Sequence, residues 1–109
     1  TDSGIFDNVL EILTITGRPL PEAVTMMMPQ AWENSTSVQP ELRDWYKYTA
    51  SVMEPWDGPA LVCFTDGDGV GASLDRNGLR PCRYYITSDN KFIVSSEAGV
   101  LKMPPETVV

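Results

Sequence analysis

The stretch Ala60-Leu61-Val62-Cys63-Phe64, with Asp66-Gly67 and Gly69 after it and then Val70-Gly71-Ala72-Ser73-Leu74, is where the chain changes its period. The first run is short and apolar, as a buried strand is, and the Asp-Gly and Gly steps after it are turn chemistry that sends the chain back. Val70 to Leu74 returns as the second arm, so a hairpin is expected. Downstream, Asp75-Arg76-Asn77-Gly78 marks another turn, Cys82 to Thr87 alternates as a strand, Ser88-Asp89-Asn90 turns, and Lys91 to Ser95 pairs back. The second half reads as an antiparallel meander.

Upstream the spacing is helical. Ser3 is a candidate cap, and Ile5, Phe6, Val9, Leu10, Ile12 and Leu13 recur at helical intervals until Gly17 and Pro19, giving a helix from about Gly4 to Thr16. Pro21 suits the first turn of a second, short helix with Glu22 at its positive end, and Pro29 stops it after Met26, Met27 and Met28. Those methionines read as core filler in preference to an adaptable docking surface. After the polar loop Asn34-Ser35-Thr36-Ser37, Pro40 opens a third helix with Leu42, Trp45, Tyr46, Thr49, Val52 and Met53 on one face, ending at Pro55. Helices (1–55) followed by strands (59–95) predict an α+β unit, its helices packed on one face of an antiparallel sheet.

Composition narrows the partners. At 109 residues, 42% hydrophobic and 21% charged, the chain has the size and make-up of one soluble, compact domain. No apolar run approaches the ~20 residues of a membrane helix, and no secretion signal opens the chain. A net charge of -7 with pI near 4.3 opposes binding to nucleic acid. Two cysteines, Cys63 and Cys82, without any histidine, fall short of the four ligands of a zinc site, so no metal is expected, and both read as reduced core residues. The chain opens directly into a helix start without Met and stops in Glu106-Thr107-Val108-Val109, as though cut from something longer.

Three local patterns suggest chemistry and fail. Asp66-Gly67-Asp68-Gly69-Val70-Gly71 begins like a calcium loop, but Val70 occupies its fifth position and Asn77 its twelfth, where ligands are required. Gly67, Gly69 and Gly71 lack the third glycine of a dinucleotide fingerprint, and Leu74-Asp75 stands where a P-loop carries Lys-Ser/Thr. Thr1 is a formal candidate for an N-terminal nucleophile, but in a chain that reads as cut this placement is accidental.

Several separated blocks carry a stronger signal. Thr1-Asp2-Ser3-Gly4 with Asp7-Asn8, Gly17-Arg18 with Leu20-Pro21-Glu22-Ala23-Val24, and Met53-Glu54-Pro55-Trp56-Asp57-Gly58-Pro59 are followed by Leu74-Asp75-Arg76-Asn77-Gly78-Leu79-Arg80-Pro81 and Ser96-Glu97. Together they resemble the type II glutamine amidotransferase domain of the glutamate synthases over essentially the whole chain. The Asp-Arg-x-Gly-x-Arg-Pro block and the Ser-Glu pair are shared with other amidotransferases of the class. The Glu-Pro-Trp-Asp-Gly-Pro block is the narrower signature, and in it Trp56 reads as a buried anchor at a stiff helix-to-strand junction.

The resemblance implies a partial domain of a four-layer αββα N-terminal-nucleophile hydrolase sandwich. It implies that the intact protein hydrolyses glutamine and passes ammonia internally to 2-oxoglutarate, for reductive glutamate synthesis with FMN, an iron-sulfur cluster and NAD(P)H or ferredoxin. The nucleophilic cysteine, the arginine that holds the substrate carboxylate and the Asn-Gly oxyanion pair would all precede Thr1, so no catalytic residue is expected here and the piece alone would be inactive. One functional position carries over: Asp2 matches the aspartate that binds the α-amino group of glutamine, although an aspartate there also suits a helix start. Asp75, Arg76 and Arg80, around an Asn-Gly turn, either bind an anion or pair with one another at a hairpin edge; pairing is the preferred reading, with Arg80 held extended by Pro81.

Partners implied are glutamine, other domains of the same large chain and a reductase domain or subunit, in an intracellular setting, cytoplasm or plastid. No cofactor is expected on this segment. The block Leu20 to Met28 followed by Pro29 leans slightly toward the nicotinamide type. Competing readings are a non-catalytic amidotransferase-like module and a self-contained Thr1-nucleophile amidohydrolase.

Overall fold

A computed structural model describes all residues 1–109. Three helices come first: α1 (Asp2–Ile15), α2 (Leu20–Met27) and α3 (Pro40–Val52). Four strands follow, β1 (Leu61–Thr65), β2 (Val70–Leu74), β3 (Arg83–Ile86) and β4 (Phe92–Ser95), and a single 3₁₀ turn closes the chain at Pro105–Thr107. The α+β order is as the periodicity predicts. No helix is long and apolar enough to cross a membrane.

The cap of α1 differs from expectation. Thr1, not Ser3, accepts the Gly4 amide on its hydroxyl, because an N-cap side chain reaches the amide three residues on and Ser3 already lies within the first turn. The short helix α2 forms the centre of the core. Ala23, Val24, Met26, Met27 and Met28 are all buried, so the methionine run is packing, as read from the sequence. Phe6, Val9, Leu10 and Leu13 of α1 close over it from one side and Val62 and Phe64 of β1 from the other.

The junction before β1 is anchored by Trp56. Its backbone amide donates to Met27 O at 2.7 Å, and its ring meets Phe6 edge-on at 5.4 Å, although the side chain is half-buried and not enclosed. On α3 only Tyr46 and Thr49 are buried; Leu42 and Val52, expected on the same face, are exposed because little besides α2 covers this helix. Arg43 straps the loop before α3 by donating to Glu33 O at 3.2 Å and to Ser35 O, its guanidinium lying 6.0 Å from the Trp32 ring centre.

The expected meander is not one sheet. β1 pairs with β2, from Leu61↔Leu74 to Thr65↔Val70, and β3 pairs with β4, from Arg83↔Ser95 to Ile86↔Phe92, as two separate antiparallel hairpins. The connection explains the break: the Asp75 side chain curls residues 75–79 into a closed turn, and Pro81, without an N–H, cannot extend a ladder. The helices therefore cover one hairpin, not a whole sheet. The last residues return to the second hairpin, where Val109 N donates to Ile86 O and Thr87 bridges Val108.

Nor does the chain close over its own apolar surface. Its radius of gyration is 16.0 Å, against about 13 Å for a compact chain of this size, and 9 of 109 residues are buried. With Val62 and Phe64 inward, strand alternation turns Leu61, Cys63, Ala72, Leu74 and Val70 to the opposite, open face of the first hairpin. Cys63 is accordingly exposed and Cys82 half-exposed; both thiols are free, but neither is a core residue. Tyr84, Ile86 and Phe92 form a similar uncovered face on the second hairpin, with the Tyr84 and Phe92 rings 5.8 Å apart.

Gly71 lies opposite Phe64, and a Cβ added there would stand 2.4 Å from the Phe64 ring. The ring occupies the space a side chain would need. Gly71→Val is expected to push Phe64 out of the core and destabilise the first hairpin by about 1–3 kcal/mol, measured as faster amide exchange in β1. Phe64→Leu in the same background should recover most of that loss.

Candidate functional site

Asp2 occupies the first turn of α1, exposed, on the rim of an open cleft of about 570 Å³ between α1 and the segment that leads into β1. Ser3, Phe6, Trp56 and Leu61 share the lining. None of the ion pairs of the chain engages the Asp2 carboxylate, which leaves its oxygens free for a ligand. Thr1, not Asp2, supplies the side-chain cap, while Asp2 in the first turn still suits the positive end of the helix. The cleft also holds Asp7, Asp57 and Cys63, which the residue pattern did not single out as neighbours of Asp2. Asp57 stood in the Trp56-Asp57-Gly58 block, and its proximity to α1 required the α2 contacts that draw Trp56 onto Phe6.

A second groove, of about 880 Å³, joins this region to the other hairpin. Ser3, Cys63, Arg80, Ser96 and Glu97 line it, so three blocks far apart in sequence meet on one side of the molecule. Arg80 forms no ion pair there.

Asp75 and Arg76 do not pair with each other. The Asp75 carboxylate accepts the amides of Ala60 at 3.2 Å, Asn77 at 3.2 Å and Leu79 at 3.0 Å, while Arg76 reaches across to Glu33 at 3.0 Å. Backbone amides are nearer than any guanidinium, because the turn folds back around the side chain that organises it. Burial pushes the Asp75 carboxyl up, but the amides of Ala60, Asn77, Leu79 and Arg80 together outweigh it and hold the group below its ordinary value. This motif is structural.

The glycine-rich turn is engaged internally as well. Asp66 Oδ1 accepts the amides of Asp68 at 3.0 Å and Gly69 at 2.9 Å, and Gly67 N donates to Thr65 Oγ1 at 3.1 Å. Those amides, Gly69 first, hold the Asp66 carboxyl below its ordinary value. The amides of Gly67, Asp68 and Gly69 are thus spent within the turn and not on a phosphate, and the carboxylate serves the hairpin. An iron-sulfur cluster wants about four thiolates, and two separate cysteines do not supply them. The glycine-rich turn therefore does not fit a flavin phosphate, nor the two cysteines a cluster.

The family model of the class-II glutamine amidotransferases matches residues 1–109. The chain is 56% identical over 110 residues to a glutamate synthase [NADH] of Saccharomyces cerevisiae, covering 100% of this chain and 5% of that protein. It is 47% identical over 109 residues to a glutamate synthase [NADPH] large chain of Bacillus subtilis, covering 100% of this chain and 7% of the relative. It is also 49% identical over 111 residues to a chloroplastic ferredoxin-dependent glutamate synthase 2 of Arabidopsis thaliana, covering 99% of this chain and 7% of the relative. The chain thus spans 5–7% of the length of these relatives. With a family match that runs from the Asp2 turn through both hairpins, the chain belongs to the class-II glutamine amidotransferases.

Proposed function

We propose that these residues are a partial glutaminase domain of a glutamate synthase, with a helical part over 1–55 and antiparallel strands over 59–95. In it Asp2 binds the α-ammonium group of glutamine. The observation that carries this reading is the free Asp2 carboxylate on the cleft rim of a class-II amidotransferase chain. A carboxylate facing an ammonium makes charge-assisted hydrogen bonds and selects an amino acid over a simple amide. With the ammonium held there, the carboxamide of glutamine points to groups outside these residues, including the cysteine nucleophile. The ammonia released serves reductive amination of 2-oxoglutarate elsewhere in the protein, where FMN and the iron-sulfur cluster supply the redox chemistry.

The uncovered apolar faces of the two hairpins support membership in an αββα sandwich whose remaining layers come from other parts of the same large chain. Relatives of both donor types match this chain at overlapping identities, and the donor, NAD(P)H or ferredoxin, is delivered through a reductase domain or subunit. The setting is intracellular, cytoplasm or plastid. The Thr1-nucleophile reading has less support, since the Thr1 hydroxyl is engaged as a helix cap.

The test is Asp2→Asn in the full-length protein, which keeps the size of the side chain and removes its charge. Glutamine KM should rise about tenfold, the low end for a charged contact on an exposed rim, while ammonia-dependent glutamate formation is unchanged. Glutamine kinetics identical to the parent would sink the assignment.

A further inference from the structure

We infer that Thr1 is a positioning residue that aims the Asp2 carboxylate at its ligand, an inference that rests on the ammonium-binding reading of Asp2 above. Asp2 is the first residue of α1, and its carboxylate is tied down by no ion pair. Its direction along the cleft rim is therefore set by the backbone of the first helical turn.

Two hydrogen bonds from Thr1 bracket that turn. Thr1 Oγ1 accepts the Gly4 amide at 3.1 Å, and Thr1 O accepts the Ile5 amide at 3.0 Å. The first bond depends on the side chain. Without it the Gly4 amide is one of the orphan donors of a helix start, and the end of a helix that lacks such a partner frays. Fraying would spread the Asp2 carboxylate over several directions, only some of which face the cleft.

The residue at position 4 is matched to this arrangement. A Cβ on Gly4 would stand 3.2 Å from Thr1 Oγ1, closer than an ordinary contact, so glycine leaves the hydroxyl its place over the amide. Glycine at a helix start also gives the turn little rigidity of its own. The hydroxyl of Thr1 is what fixes it.

In the full-length protein, Thr1→Val removes the acceptor at nearly constant size. Glutamine KM is expected to rise about three- to tenfold, with kcat at saturating glutamine and the ammonia-dependent rate unchanged. Thr1→Ser, which restores an acceptor, should return KM to the parent value. A merely structural role would lower the two rates together and would leave KM alone. Two results would overturn the inference while leaving the role of Asp2 standing: Asp2→Asn raises KM but Thr1→Val does not, or Thr1→Ser is as impaired as Thr1→Val. If Asp2→Asn itself leaves KM unchanged, the ammonium site fails and the role of Thr1 fails with it. Should Thr1→Val lose the ammonia-dependent rate as well, Thr1→Ala at the same exposed position decides by the same KM criterion.

Discussion

Replacing Asp75 by alanine is expected to speed hydrogen exchange at the amides of Ala60, Asn77 and Leu79 by about ten- to a hundredfold in the full-length protein. One carboxylate holds all three, with Ala60 and Leu79 on Oδ1 and Asn77 on Oδ2. It is a side chain with 8% of its surface exposed, so water replaces it poorly. Loss of the carboxylate would leave the start of β1 held to the end of β2 only by backbone bonds, among them Asp75 N to Ala60 O, and would loosen the turn that carries Arg76 to Glu33 and Arg80 into the groove. Asp75→Asn should fall between parent and alanine, because one oxygen acceptor remains.

The same residue predicts a pH dependence whose sign is determined. Its folded value lies below the ordinary 3.8, so folding favours the carboxylate. That contribution is complete above the ordinary value and is lost as pH falls through the lower folded value. The three amides should therefore stay protected through neutral and mildly acid pH and lose protection only below about pH 4. Asp75→Ala should show no such acid step at these positions. An acid step of equal size in the variant would assign the transition to other carboxylates.

Met27→Ala is the second large effect, an expected loss of about 2–5 kcal/mol. Met27 has 0% exposure and sits where α1, the Trp56 junction and β1 converge on α2. A cavity there loosens three neighbours together, and the backbone bond from Trp56 N to Met27 O ties the junction to the same residue. Exchange of the α2 amides in the native full-length protein measures the loss. Met27→Leu, which preserves volume, should cost less than about 1.5 kcal/mol. A cost for alanine no greater than for leucine would mean that α2 is not the keystone of this core.

Local chemistry made much of the molecule legible from its residues. Proline at the starts of α2 and α3, Gly17 after α1, the methionine run and the Asp-Gly turn each act over a few residues, and they marked three helices and four strands to within a few residues. Asp2 could be proposed as a site residue only through the blocks around it, since an aspartate at a helix start is commonplace. Local pattern does not decide where a side chain has more than one available partner. Asp75 was expected to pair with arginines, and chose amides brought within reach by the turn; Ser3 was expected to cap α1, and Thr1 was better placed.

The sequence by itself determined the order of elements, the class of the fold and the identity of the turns, because these follow from periodicity and backbone preference within a window of a few residues. Only the tertiary structure decided that the strands form two hairpins and not one sheet, that Cys63 faces outward, and that Asp2, Arg80, Ser96 and Glu97 border adjoining grooves. Those outcomes depend on contacts between residues tens of positions apart, and no local pattern encodes the direction in which a closed turn such as Asp75–Leu79 sends the chain.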